Sequence, residues 1–304
     1  MSMSGRLFGG IEAGGTKFVC AVGYGPDDIR HRVTIPTTGP EQTFAACRAF
    51  FDHAIGQHGR LAGIGIAAFG PVNVDAASEQ YGVVGRTPKP GWPGANYLTA
   101  FSGYGVPVAI SSDVSGAALG EYLAQLPGGA RQGARSLAYV TVGTGIGAGL
   151  VAEGRVLQGT SHYEFGHIYP PRNGADAFAG QCPYHGACLE GLASGPAIMA
   201  RWGRSLSDLP PDHEAHEIEA FYLAHLALVI TLTHMPEKIT FGGGVMKTPG
   251  LIDRVRMKTA ELLNAYADGP SAGDMTAYIV PPGLPDISGI AGALALARQA
   301  ADLA

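Results

Sequence analysis

Four candidate metal ligands crowd one short stretch of this chain. Cys182, His185 and Cys188 form a C-x2-H-x2-C run, and fourteen residues separate Cys182 from His167 upstream. Two thiolates and two imidazoles make a tetrahedral zinc set, and four protein ligands leave no open position, so such a zinc is structural. Carboxylates bracket the run, Glu164 before it and Glu190 after it. A carboxylate accepts several hydrogen bonds at once, which suits a polar ligand. One ring nitrogen of His167 can hold a metal while the other faces a ligand. The stretch therefore reads as a metal clamp that fixes a polar pocket on a loop. A zinc hydrolase with Glu164 or Glu190 as base is the rival reading. It needs an open metal position, which a ligand count by metal spectroscopy would detect.

Glycine turns form the second set. They are Glu12-Ala13-Gly14-Gly15-Thr16-Lys17, Gly143-Thr144-Gly145-Ile146 and Gly242-Gly243-Gly244. Such turns let backbone N–H groups approach a phosphate with no side chain in the way, although one alone is ordinary turn chemistry. The run from Gly143 has glycine at every second position through Gly149 and lacks the strand-turn-helix register of a dinucleotide site. There is also no G-x4-G-K-[ST] loop. Phosphates would then lie against hairpins and not at a helix N-terminus. Asp113 follows an apolar strand and precedes a helix. Read alone, that position suits a plain helix cap before it suits a general base.

The elements that carry these residues follow from pattern. Strands are expected at 7–11, 17–22, 62–68, 106–111, 137–142, 147–152, 238–241 and 276–280, with another after the turn at 153–155. The hairpins at 7–22 and 137–152 resemble each other about their glycine turns, a weak internal repeat that suggests two related lobes. Helices are expected at 40–58, at 115–126 ending at Pro127-Gly128, at 189–202 and 213–234, at 249–267 capped by Thr248, and at 288–301 capped by Ser288. The Gly/Pro-rich stretch 75–96 reads as an irregular loop. Strands alternating with helices make this an α/β chain.

Taken in order, several motifs resemble the ROK (repressor, open reading frame, kinase) family over nearly the whole chain. They are Glu12–Lys17, Asp113 with Ala117-Ala118-Leu119-Gly120-Glu121, 142–147, Glu164-Phe165-Gly166-His167 and Gly242-Gly243-Gly244-Val245. Thr87-Pro88-Lys89-Pro90-Gly91-Trp92 and the nine residues from Cys182 to Glu190 are similar to its fructokinase branch, which has a histidine inside the cysteine run. The resemblance implies an actin-like (ribonuclease H-like) ATPase fold, two α/β lobes with ATP and sugar in a central cleft. Residues 1–117 plus 288–304 would form one lobe and 118–287, with the zinc loop, the other. It implies phosphorylation of a hexose, fructose to fructose 6-phosphate first, with ATP, Mg²⁺ and a structural Zn²⁺.

Residue by residue, Asp113 matches the catalytic base. Gly14, Gly15, Thr16, Lys17, Thr144, Gly145, Gly243 and Gly244 match nucleotide positions. Gly70, Pro71, Ser112, Glu164, His167 and Glu190 match sugar positions, and His167, Cys182, His185 and Cys188 the zinc ligands. Glucose-phosphorylating members carry Asn just before the catalytic Asp. Ser112 stands here, which removes a bidentate sugar contact and disfavours glucose. Another hexose (mannose, glucose or an N-acetylated amino sugar) and a non-catalytic sugar sensor are the alternatives. Six residues precede the first strand, so the DNA-binding helix pair of the repressor members is not expected.

Bulk composition narrows the field. The chain has 304 residues, 46 glycines, 15% charged residues and a net charge of −5. With no basic block, nucleic acid is not an expected partner. Four cysteines, Cys20 and Cys47 besides the two above, make no disulfide framework, and Cys20 and Cys47 read as small buried apolar residues. The apolar run 226–232 is too short to span a bilayer and no leader pattern opens the chain, so a cytoplasmic protein without a membrane partner is expected. Family resemblance adds a homodimer.

Overall fold

The strand Leu7–Ala13 is apolar on both faces, a composition that demands cover on each side of its sheet. The computed structural model, which describes residues 5–87, 89–126 and 135–304, supplies that cover. It divides into two units, Met1–Gln125 with Val156–His162 and Leu284–Ala304, and Leu126–Arg155 with Tyr163–Gly283.

The first unit begins with a meander, β1 (Leu7–Ala13), β2 (Lys17–Gly25) and β3 (Asp28–Pro36). Helix α1 (Pro40–His58) follows, opened by Pro40 and Glu41 in its first turn as N-terminal chemistry favours. Then come β4 (Leu61–Ala68), the short α2 (Tyr97–Phe101), β5 (Val108–Ser112) and α3 (Asp113–Gln125). Sheet order is β3-β2-β1-β4-β5. Strands β1, β4 and β5 are parallel, with Ile11 opposite Ile66 and Ala68 opposite Ser112. One face is covered by an aromatic cluster of Phe18, Phe44, Phe69, Trp92 and Tyr97. The other is covered by α9 (Ser288–Leu303), the last helix of the chain. It lies on bare backbone: a Cβ on Gly65 of β4 would sit 1.9 Å from the Ala293 carbonyl oxygen.

The second unit repeats the plan. β6 (Ser136–Val142) and β7 (Ile146–Ala152) form an antiparallel hairpin, and β8 (Arg155–Leu157), of which Arg155 alone falls in this unit, is the last strand in the sheet order. Helices α4 (Leu189–Ala193), α5 (Gly195–Trp202) and α6 (Glu214–His234) lead to β9 (Lys238–Gly242). Helices α7 (Leu251–Leu263) and α8 (Met275–Tyr278) precede β10 (Ile279–Val280). The order β8-β7-β6-β9-β10 matches β3-β2-β1-β4-β5 strand for strand, with β6, β9 and β10 parallel. The repeat suspected from two hairpins thus extends to two whole sheets. Helix α6 is long and apolar enough to cross a membrane, but most of it is buried within this unit. It is a core helix.

Several boundaries differ from the pattern reading. The helix expected over 189–202 is two helices: Ser194 is extended and its hydroxyl caps α5 by accepting the Ala197 N–H. Pro196 enforces the break, since its ring cannot follow four residues of helix. The helix expected from Pro249 starts at Leu251, because Gly250 takes a left-handed conformation (φ 74). It stops at Leu263, where Asn264 and Ala265 also turn left-handed. The strand expected over 276–280 is mostly the turn of α8, capped by Asp274, with only Ile279–Val280 paired. Ser288 does not cap α9. Its hydroxyl donates to the buried Glu121 (2.5 Å), which also accepts the Leu284 N–H. Strand β3 is absent from the pattern reading because its polar edge sequence, Asp-Ile-Arg-His-Arg, hides the alternation. The expected stop at Pro127-Gly128 and Pro88 of the fructokinase-like loop lie outside the described residues.

Candidate functional site

Three parallel strands of the first unit end on one edge, and each releases a segment singled out above. β1 ends at Ala13 and leads into Gly14–Thr16. β4 ends at Ala68 and leads into Gly70-Pro71. β5 ends at Ser112 and leads into Asp113. Carboxyl ends of parallel strands are where open α/β sheets place ligands. The Gly14 N–H donates to the Lys17 carbonyl (2.9 Å), closing the turn. The exposed Gly15 has nothing within 4 Å of a would-be Cβ, so its backbone is open to a ligand. Gly70-Pro71 is a cis peptide beside the ring of His162.

Asp113 is the first residue of α3, and its Oδ1 accepts the Val114 N–H (2.8 Å). Ser112 is buried. Its hydroxyl donates to Ser115 Oγ (2.9 Å) and accepts the Ser115 N–H (3.2 Å), so it serves the helix start. Beside Asp113 stands Glu12, which sequence reasoning overlooked. Burial pushes the Glu12 carboxyl above its ordinary range and the Asp113 charge adds to this, while Lys17 and the Ile290 N–H oppose it. The start of α9 makes room for it, since a Cβ on Gly289 would lie 2.6 Å from Glu12 Cδ. A lone charge inside an apolar strand was the available signal. Lys89 is a second omission: its Nζ donates to the Gly15 carbonyl. Trp92 anchors the same loop by donating from Nε1 to the Thr38 carbonyl (2.8 Å).

In the second unit, β6 and β9 end side by side in Gly143–Gly145 and Gly243-Gly244. Gly243 needs its φ of 92 and its missing side chain, since a Cβ would meet the Val142 carbonyl oxygen at 2.3 Å. Thr144 and Gly244 are exposed. Glu190, in the first turn of α4, sends Oε2 to the Ile146 N–H (2.9 Å). Glu164 is exposed and its carbonyl accepts the His167 N–H (3.0 Å). Gly166 lies so close to Ile146 that a Cβ would be 1.9 Å from the Ile146 carbonyl oxygen. Ile146 of β7 is thus met on its N–H by Glu190 and on its carbonyl side by the Gly166 backbone.

The four predicted metal ligands converge, with donor atoms all within 4.8 Å of one another. The two Nδ1 atoms of His167 and His185 are 3.3 Å apart. Sulfur-to-nitrogen distances are 3.5 Å (Cys188–His167), 3.8 Å (Cys182–His185) and 3.9 Å (Cys182–His167). A tetrahedral zinc with ordinary bond lengths places nitrogens about 3.3 Å apart and sulfur and nitrogen about 3.6 Å apart. The donors fit zinc in number, type and spacing, and they use Nδ1 of His167, which leaves Nε2 for a ligand. Burial pushes the Cys188 thiol up to about 11, a cost that a bound cation would offset.

A buried ionic cluster, also missed from sequence, ties this loop to the unit. Asp176 accepts the Tyr222 hydroxyl (2.6 Å) and pairs with Arg201 (3.2 Å). Arg201 also donates to the Leu192 carbonyl (2.8 Å) and stacks on Phe178 and Trp202. Glu219 is fully buried and neither oxygen has a hydrogen-bond partner among the described residues; burial pushes its carboxyl well up, opposed by Arg201. Only spatial proximity joins these residues, which is why spacing could not reveal them.

The sequence matches the ROK family over residues 8–300. It is 44% identical to the fructokinase of Zymomonas mobilis over 300 residues, covering 97% of each chain. It is 40% identical to the fructokinase of Streptococcus mutans over 301 residues, 97% of this chain and 99% of that one. The ROK hexokinase of Thermus thermophilus is a structural neighbour with a TM-score of 0.79 at 25% identity, covering 98% of this chain and 100% of that chain. The architecture is the α/β, actin-like fold of those sugar kinases, and the chain belongs to the ROK family.

Proposed function

We propose that this protein transfers the γ-phosphoryl group of ATP to fructose, giving fructose 6-phosphate. The observation that carries the reading is the full-length similarity to fructokinases, 44% identity over 97% of both chains. Asp113 accepts the proton of the attacking hydroxyl as its oxygen bonds to phosphorus and the bond to the β-phosphate oxygen breaks. Its place at a strand's carboxyl end, with one oxygen fixed by the Val114 N–H, supports that role. The backbone of Gly14, Gly15 and Thr16, with Lys17, takes phosphate oxygens, as do Thr144 and Gly145. Gly243 and Gly244 lie by the nucleotide. Mg²⁺ neutralises charge on the phosphates when bound. Gly70, Pro71, Glu164, His167 Nε2 and Glu190 hold the sugar. Zinc on His167, Cys182, His185 and Cys188 is structural, because four protein donors fill its coordination.

Sugar choice follows from Ser112. Its hydroxyl is committed to the start of α3, so no amide reaches the sugar from this position. A site without that hydrogen-bonding group discriminates against a sugar that relies on it. Fructose is therefore expected to have a kcat/KM higher than that of glucose by about tenfold or more, the scale of one lost polar contact. The check is a competition between the two sugars under MgATP. Glucose consumed first would overturn the choice of sugar and leave the phosphotransfer standing.

A further inference from the structure

We infer that Glu190 is a positioning residue for the glycine turn at 143–146, so that nucleotide affinity depends on it even when no sugar is present. This rests on the reading above that the turn takes phosphate oxygens.

Gly145 is the third residue of that turn. Its φ is not positive, so nothing in its backbone calls for glycine. What a side chain there would displace is Glu190: a Cβ on Gly145 would lie 2.6 Å from Glu190 Oε2. That oxygen accepts the N–H of Ile146 at 2.9 Å. The carboxylate thus closes over the turn and takes the amide of the residue that ends it. A second bond from the same stretch reaches the front of the turn, where the Gly195 N–H donates to the Gly143 carbonyl (2.8 Å). Within the turn the Gly143 N–H donates to the Gly145 carbonyl (2.9 Å). Beyond the β6–β7 pairing that flanks it, the turn is therefore held by α4 and the residue that opens α5.

Helix α4 is in turn held by the metal loop. Cys188 is its N-cap residue, and the Gln181 N–H donates to the Gly191 carbonyl (3.0 Å). A chain of contacts runs from the Cys/His cluster through α4 to Glu190 and on to the Ile146 amide. A hydrogen bond to a charged acceptor is strong and directional. Its loss should loosen the turn before any ligand arrives.

The test uses full-length, zinc-replete protein with Mg·ADP as the probe and no sugar. Binding is measured by calorimetry, and exchange of the Ile146 amide by nuclear magnetic resonance in ligand-free protein. Glu190→Ala is expected to weaken Mg·ADP by about tenfold to a hundredfold, the scale of one lost charge-assisted hydrogen bond. Ile146 exchange should accelerate alongside. Glu190→Gln keeps an acceptor at the same reach and should stay within about threefold of wild type. Gly145→Ala should mimic Glu190→Ala by pushing the carboxylate away, and should add little in the Glu190→Ala background, since the two changes break one interaction. Should Glu190→Ala not fold, Gly145→Ala and Glu190→Gln carry the comparison. An unchanged Ile146 exchange rate, or full additivity of the two changes, overturns the positioning role. Faster exchange with unchanged Mg·ADP affinity overturns the inference at its other end, by removing the turn from the nucleotide site.

Discussion

Asp113→Asn is expected to lower kcat by about 10²–10⁴, the range for loss of a general base, with fructose affinity little changed. The substitution is chosen because it separates two roles that the position allows. Asp113 Oδ1 accepts the Val114 N–H at the start of α3, and asparagine serves a helix start about as well as aspartate. If Asp113 only stabilised the helix, the variant would be as active as the parent. If it takes the hydroxyl proton, the amide cannot, and turnover collapses while the melting temperature holds. Single-turnover phosphoryl transfer at saturating MgATP and fructose, with calorimetric fructose binding alongside, is the measurement. A near-native rate would remove Asp113 from the chemistry. Positioning and electrostatics would then carry the reaction without it, which phosphoryl transfer tolerates only in part.

What the sequence makes legible, and what it conceals, follows from the range of each interaction. Strands β1 and β2 are readable because their apolar runs flank an unmistakable glycine turn, and the same holds for β6 and β7. The cysteine run is readable because zinc spacing is local. Strand β3 is concealed by its edge position, where charged residues replace alternation. The break at Ser194 lay in plain view as Ser-Gly-Pro, but the apolar residues on either side gave one continuous helical pattern. Glu12, Arg201, Asp176 and Glu219 escape for a different cause: their significance lies in partners that only the fold brings near. Glu190 is the intermediate case. Its carboxylate was readable as an acceptor for a polar ligand, while its bond to Ile146, 44 residues away, was not.

The cysteine and histidine cluster makes the other large prediction. Purified protein should contain one zinc per chain, and Cys188→Ser should lose it. The donor distances, 3.3 Å between imidazole nitrogens and 3.5–3.9 Å from sulfur to nitrogen, match one tetrahedral ion. Loss of the metal should also cost fructose affinity, by about tenfold or more on the scale at which groups supporting a metal site act. The reason is positional: His167 is both a donor and a proposed sugar contact, and Cys188 opens the helix that carries Glu190. Cys47→Ala is the control. Cys47 is equally buried but packs in the core of the first unit, so its loss should cost stability and leave the zinc in place. Metal content by mass spectrometry, read beside fructose titrations of the three proteins, decides the matter. Zinc-free protein that binds fructose at full strength would separate the cluster from the sugar site. Cys188→Ser that retains zinc but loses fructose would instead shift the explanation to the start of α4, where Cys188 also serves as the N-cap residue.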